Sequence, residues 1–159
     1  MRPLLLILLL LLVVCAVFAQ GSPQLKIVSG LCRTILNNTQ SDTKPCELNV
    51  SADGQVPAGT TVRLRQVSAY CTSPIDRAVR LVRLDTQLSN VNTDMHHTFV
   101  QVMRREVRSP GLHAEYQGSQ LMDAYAGPGS RIMATVAAEL GSINPPIHCE
   151  VRFQGTVVN

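Results

Sequence analysis

The chain has 159 residues, 45% of them hydrophobic and 16% charged, with a formal net charge of +3. That is the length of one domain, too short for a solenoid, a large barrel enzyme or a multidomain architecture. The balance of apolar and charged residues excludes a disordered or collagen-like chain, and so small a positive charge with so few aromatics argues against nucleic-acid binding.

Arg2-Pro3 leads into an unbroken apolar run from Leu4 to Ala19, 16 residues long. A membrane-spanning helix needs ~20 residues. The basic start, the leucine-rich stretch and the small residues Val17 and Ala19 ahead of Gln20 predict a secretory leader over residues 1–19, removed to leave a single domain over residues 20–159. The rest of the chain has no second apolar run of that length. No transmembrane segment is therefore expected after cleavage, and the expected location is extracellular.

Beyond the leader, Leu25 and Ile27 make a short strand candidate. Cys46, Leu48 and Val50 alternate with Glu47 and Asn49, which puts the cysteine on the core side and Asn49 on the wet side of a strand. Gln55-Val56-Pro57-Ala58-Gly59 reads as a turn ahead of a strand in which Val62 and Leu64 oppose Arg63 and Arg65. Ser73-Pro74-Ile75-Asp76 has the form of a helix start, a Ser cap with Pro at the first helical position, which would align Arg77, Arg80 and Arg83 on one face. The Val and Thr content favours a strand from Val79 to Leu88 instead, with Val82, Leu84, Thr86 and Leu88 opposing Arg83, Asp85 and Gln87. Thr98, Val100 and Val102 oppose Phe99, Gln101 and Met103. Ile132, Ala134, Val136, Ala138 and Leu140 share a face, as do Ile147, Cys149, Val151 and Phe153. The turn-rich stretch between these last two runs predicts a C-terminal hairpin, with Gly155 as a bulge near its end. Short alternating strands at this spacing predict an all-β antiparallel sandwich.

Cleavage of the leader takes Cys15 and leaves Cys32, Cys46, Cys71 and Cys149. Four cysteines in an oxidising compartment predict two disulfides, in any of three pairings. Two sequons, at Asn37 and Asn49, are glycosylation candidates.

Catalytic chemistry finds little support. There is no nucleophile elbow, phosphate loop or dinucleotide glycine pattern, and every remaining cysteine is expected to be bridged. His96, His97, His113 and His148 read as surface residues. His148 and Glu150 share a strand face that could touch a metal, but that is the wet face. No catalytic residue, metal site or cofactor is expected, and the protein is expected not to be an enzyme. Arginine is favoured over lysine, and Arg104, Arg105 and Arg108 form a cluster whose planar donors suit anionic glycans.

Two resemblances follow from particular residues. Gln55-Val56-Pro57-Ala58-Gly59 resembles the Gln-x-Val-x-Gly loop of cystatin protease inhibitors, with Pro57 in place of the central Val. Gly129-Ser130-Arg131-Ile132 entering an alternating strand, then a polar turn, then Ile147-His148-Cys149-Glu150-Val151, resembles the C-terminal third of the MD-2-related lipid-recognition family, which includes the Niemann-Pick C2 and GM2-activator types. Pro45-Cys46-Glu47-Leu48 is similar to an early Cys-x-Leu element of that family. Arg131 departs from the usual aromatic, and the family's central cysteine cluster has no counterpart here. The second resemblance implies an immunoglobulin-like β-sandwich whose sheets splay around an acyl chain or sterol. It also implies Cys32 paired with Cys149 and Cys46 with Cys71, against the local alternative of Cys32 with Cys46 and Cys71 with Cys149.

The expected function is non-enzymatic binding of a lipid or other small apolar ligand between the sheets, with Val100, Val102, Ile132 and Val136 lining the cavity. The alternative is an extracellular recognition or matrix module that binds a protein receptor or an anionic glycan on its outer surface, through Arg104, Arg105 and Arg108.

Overall fold

A computed structural model describes residues 26–37, 39–51, 53–88, 95–107, 113–139 and 145–158. The leader, Leu25, Arg108 and Leu140 lie outside the described residues. Ten strands and no helix are present among those described: β1 (Ile27–Leu36), β2 (Ser41–Pro45), β3 (Glu47–Leu48), β4 (Thr61–Pro74), β5 (Val79–Gln87), β6 (Met95–Phe99), β7 (Met103–Val107), β8 (His113–Ala126), β9 (Met133–Ala138) and β10 (Ile147–Val158). They form a six-stranded sheet in the order β3-β1-β10-β4-β8-β7 and a four-stranded sheet in the order β2-β9-β5-β6. Every pairing is antiparallel.

The core lies between the inner faces of the two sheets. Val28, Cys32 and Leu36 of β1, Val62, Leu64, Val67 and Cys71 of β4, and Ile147, Val151 and Phe153 of β10 are buried from the large sheet. Val82 and Leu84 of β5 and Ala134 and Val136 of β9 are buried from the small one. This is the period-two burial that the sequence predicts, and it gives each sheet a dry face. Gly30 belongs to the inner face too: a Cβ there would sit 2.1 Å from Cζ of Phe153, so the missing side chain is what seats that ring.

The pairing of strands departs from expectation in three places. The last two strands are not a hairpin. β9 belongs to the small sheet, between β2 and β5, and β10 to the large sheet, between β1 and β4, so the chain crosses the sandwich between them. The run around Val100 is likewise a crossover: β6 ends at Phe99 in one sheet, β7 starts at Met103 in the other, and Val100 is buried where the chain passes over. At Gly155 the ladder does slip, but the extra residue is Arg65 on the facing strand β4, because Gln154 opposes Gln66 and Gly155 opposes Leu64.

Ser73-Pro74-Ile75-Asp76 closes β4 in a tight turn and does not start a helix. Ser73 Oγ donates to the Arg77 carbonyl at 2.6 Å, and the Arg77 N–H donates to the Pro74 carbonyl. Strand β5 then runs from Val79 as predicted, although Leu88 is exposed just past its end. The disulfides are Cys32–Cys46 and Cys71–Cys149. The local pairing therefore holds, and the pairing implied by the lipid-recognition resemblance is overturned. Cys71 and Cys149 stand opposite one another in the register of β4 and β10, which brings their sulfurs within bonding reach.

Candidate functional site

The outer face of the large sheet carries the site. Register places its side chains in rows that run across the strands. Arg33 on β1, Glu150 on β10, Tyr70 on β4, Gln117 on β8 and Met103 on β7 form one row over five strands. The next row is Leu31, Arg152, Ser68 and Ser119. Tall side chains in the first row beside two serines in the second leave a groove of about 580 Å³, lined by Ser68, Ala69, Tyr70, Met103, Gln117, Gly118, Ser119, Glu150 and Arg152. A second hollow of about 470 Å³ continues it toward β1, past Arg33, Ile35, Thr72 and His148.

These groups are held in place by one another. Arg152 donates to Glu150 at 2.7 Å and Arg33 approaches the other carboxylate oxygen at 3.5 Å. These cations, Arg152 first, hold the Glu150 carboxyl below the usual carboxylate range, so it stays ionised. Tyr70 Oη donates to Glu115 at 3.0 Å, and Gln117 Nε2 reaches the second oxygen of the same carboxylate. Burial and the nearby Glu115 push the Tyr70 phenol up from its ordinary value, which keeps it a donor at neutral pH. Gln66 donates to Ser119 across the groove floor. Further along β4, Arg63 clamps Asp123 through two bonds of 2.7 Å and lies over the Tyr125 ring. That pair keeps the Asp123 carboxyl low.

The residues singled out from sequence fall elsewhere. Val100, Ile132 and Val136 are buried and Val102 is half-buried in the core between the sheets. Arg104 and Arg105 do not make one patch. They are consecutive on β7 and project to opposite sides of the strand, Arg104 donating to the Ile75 carbonyl and pairing with Glu106, Arg105 standing beside Glu115 on the groove side. Asn37 and Asn49 are both exposed. The Asn49 amide spans the edge of β1, accepting from the Ser29 N–H at 2.8 Å and donating to the Ile27 carbonyl. Val56, in the cystatin-like loop, is buried and bonded through its backbone to Gly129 and Ser130, so the loop is a turn seated on the body of the domain.

Two polar centres went unseen in the sequence. Arg77, grouped in the sequence with Arg80 and Arg83, is 2% exposed and reaches the backbone carbonyls of Leu36, Asn37, Thr39 and Glu139. Asp85, expected on the wet face of β5, is also 2% exposed. Its carboxylate accepts from Thr135 Oγ1 at 3.0 Å, pairs with Arg83 and meets His97 Nδ1 at 2.6 Å. His97 is thus tied to a buried partner. Its ring joins the edge strand β6 to β5.

Groups of three or more metal-ligating side chains are lacking among the described residues. The groove instead offers a guanidinium pair, one carboxylate, an amide, two hydroxyls and a half-exposed phenol ring, which is equipment for grasping a polar ligand. No protein-family model matches the chain, and no curated protein matches it.

Proposed function

We propose that the protein is a secreted recognition module that binds a saccharide on the outer face of its six-stranded sheet. The observation that carries this reading is the groove of about 580 Å³ in which Ser68, Gln117, Ser119, Glu150 and Arg152 surround the exposed Tyr70 ring, on adjacent strands and with Tyr70, Glu150 and Arg152 held by hydrogen bonds and an ion pair. Sites mounted on strands hold their geometry better than sites on loops. A protein partner is favoured by an apolar, aromatic centre with a polar rim. Here a single aromatic ring, Tyr70, is surrounded by serine, glutamine, arginine and glutamate, and the one large aliphatic side chain of the lining, Met103, stands at one end. Neighbouring strands are about 4.8 Å apart, close to the repeat of a β-linked pyranose chain, so successive sugars crossing the strands would meet successive members of the Arg33–Met103 row. The leader-like N-terminus and the two disulfides support an extracellular setting.

The test is a glycan array probed with the protein and with Ser68→Leu, which fills the groove floor, and Lys44→Gln, which alters an exposed residue on the small sheet. A bound subset of saccharides that Ser68→Leu loses and Lys44→Gln keeps is the expected result. An array left empty by the folded protein, or binding indifferent to Ser68→Leu, overturns the reading.

A further inference from the structure

The charges at the β1 end of the groove specify the ligand further. Arg33 and Arg152 flank Glu150 from two sides, and their side chains remain 65% and 66% exposed. Each gives Glu150 a single donor: Nε from Arg33 and one terminal nitrogen from Arg152. The terminal fork of Arg33 has no partner among the described residues, and Arg152 retains donors on the groove side. Two guanidinium groups against one carboxylate leave an excess of one positive charge, at a point where the groove opens to solvent. At the other side of Tyr70, Glu115 is occupied by the Tyr70 hydroxyl and the Gln117 amide. Arg105 faces that carboxylate in the register and His113 approaches it at 3.7 Å, so the place where two exposed guanidiniums share one carboxylate is the β1 end.

We infer that the saccharide is acidic, a uronate-containing oligosaccharide laid across the strands with its carboxylate on the Arg33–Arg152 pair and a ring against Tyr70. This rests on the saccharide reading above and adds the class of sugar. Planar guanidinium forks match a carboxylate in two-bond geometry, which an ammonium cannot do. Glu150 has two effects on such a ligand. It holds both arginines in position and it repels the incoming carboxylate, so its neutral isostere retains the hydrogen-bond acceptor while removing the repulsion. Tyr70 supplies an apolar ring face for the sugar's C–H groups while its hydroxyl is held by Glu115.

Calorimetric titration of the disulfide-intact protein with three tetrasaccharides tests this: β-linked mannuronate, cellotetraose as an uncharged β-linked control, and a sulfated heparin fragment. Mannuronate is expected to bind best. Arg152→Gln should weaken it about tenfold, and Arg33→Gln by a similar factor. Glu150→Gln should tighten it several-fold, a gain that a merely structural role for Glu150 would not produce. Raising the ionic strength from about 0.05 to about 0.5 M should weaken mannuronate and leave any cellotetraose binding unchanged. If cellotetraose binds as well as mannuronate and Arg152→Gln changes neither, the acidic class is wrong while the saccharide site stands. If the heparin fragment alone binds, the site selects sulfate and the uronate assignment is overturned. If no tetrasaccharide binds the folded protein, both readings fail.

Discussion

Arg77 and Asp85 are charged residues that the fold takes out of water, and each is rescued differently. Arg77 meets no carboxylate among its described contacts. Its charge is spread over four backbone carbonyls from two chain segments, so it cross-links the Leu36–Thr39 stretch and Glu139 to the turn after β4. Removing it takes the guanidinium donors from these carbonyls. Arg77→Met is expected to cost about 3 kcal/mol in denaturant unfolding, and a loss below about 1 kcal/mol would show that water replaces the guanidinium. Asp85 is instead ringed by Arg83, Thr135 and His97. Asp85→Ala leaves the partly exposed Arg83 guanidinium with the Thr135 hydroxyl in place of its carboxylate and should cost about 2 kcal/mol, with hydrogen exchange of Met95–Phe99 rising most because β6 loses its tie. Neither burial is visible in the sequence. Arg77 sits among other arginines, and Asp85 occupies a polar slot in a regular alternation. What covers them are residues some 40 to 60 positions away in Arg77's case and 50 away for Thr135.

Strands were legible where their inner faces are aliphatic and obscure where those faces are small or polar. β9 and β10 announce themselves through Ile132, Val136, Ile147 and Val151. β1 is detectable only at Ile27 because its inner face includes Gly30 and Thr34, and β8 escaped entirely because its inner face is Ala114, Tyr116, Gly118, Gln120, Met122, Ala124 and Ala126. β4 was seen as far as Leu64, since the extra residue Arg65 reverses the phase of everything after it. The small residues have reasons of their own. A Cβ on Gly118 would lie 1.9 Å from the Gln101 carbonyl oxygen, so glycine is what lets the crossover segment lie against β8. Gly118→Ala should displace that segment, cost about 2 kcal/mol and raise exchange along Met103–Val107. Unchanged exchange there would mean that β7 is anchored without the close approach. The groove inherits this dependence, because Met103 is both the start of β7 and one end of the row across the large sheet.

At the scale of the whole molecule, two bridges and a set of surface ion pairs set the conditions under which the sandwich holds. The Cys71–Cys149 bridge spans 78 positions and Cys32–Cys46 spans 14. Loop-closure entropy assigns them about 4.5 and about 3 kcal/mol, so Cys71→Ser/Cys149→Ser is expected to lower stability more than Cys32→Ser/Cys46→Ser, with equal losses refuting an entropic origin. Asp53, Asp123 and Glu150 all have carboxyls lowered in the folded state, by Ser51, Arg63 and Arg152 respectively. A lowered folded value means that the stabilising contribution is present above the unfolded carboxylate range and disappears as pH falls through the folded one. The melting temperature should therefore stay level from neutral pH to about 5 and decline below about 4, by a modest amount because the pairs are exposed. By itself the sequence determined an all-β chain with two bridges and the inward phase of its aliphatic strands, since alternation along an extended segment is a local property and needs no neighbour. The choice of neighbour was left to the tertiary structure: β9 and β10 in separate sheets, Cys32 with Cys46, the rows that build the groove, and the burial of Arg77 and Asp85. Each of these depends on which strands lie side by side, and a period of two reads the same in any strand order.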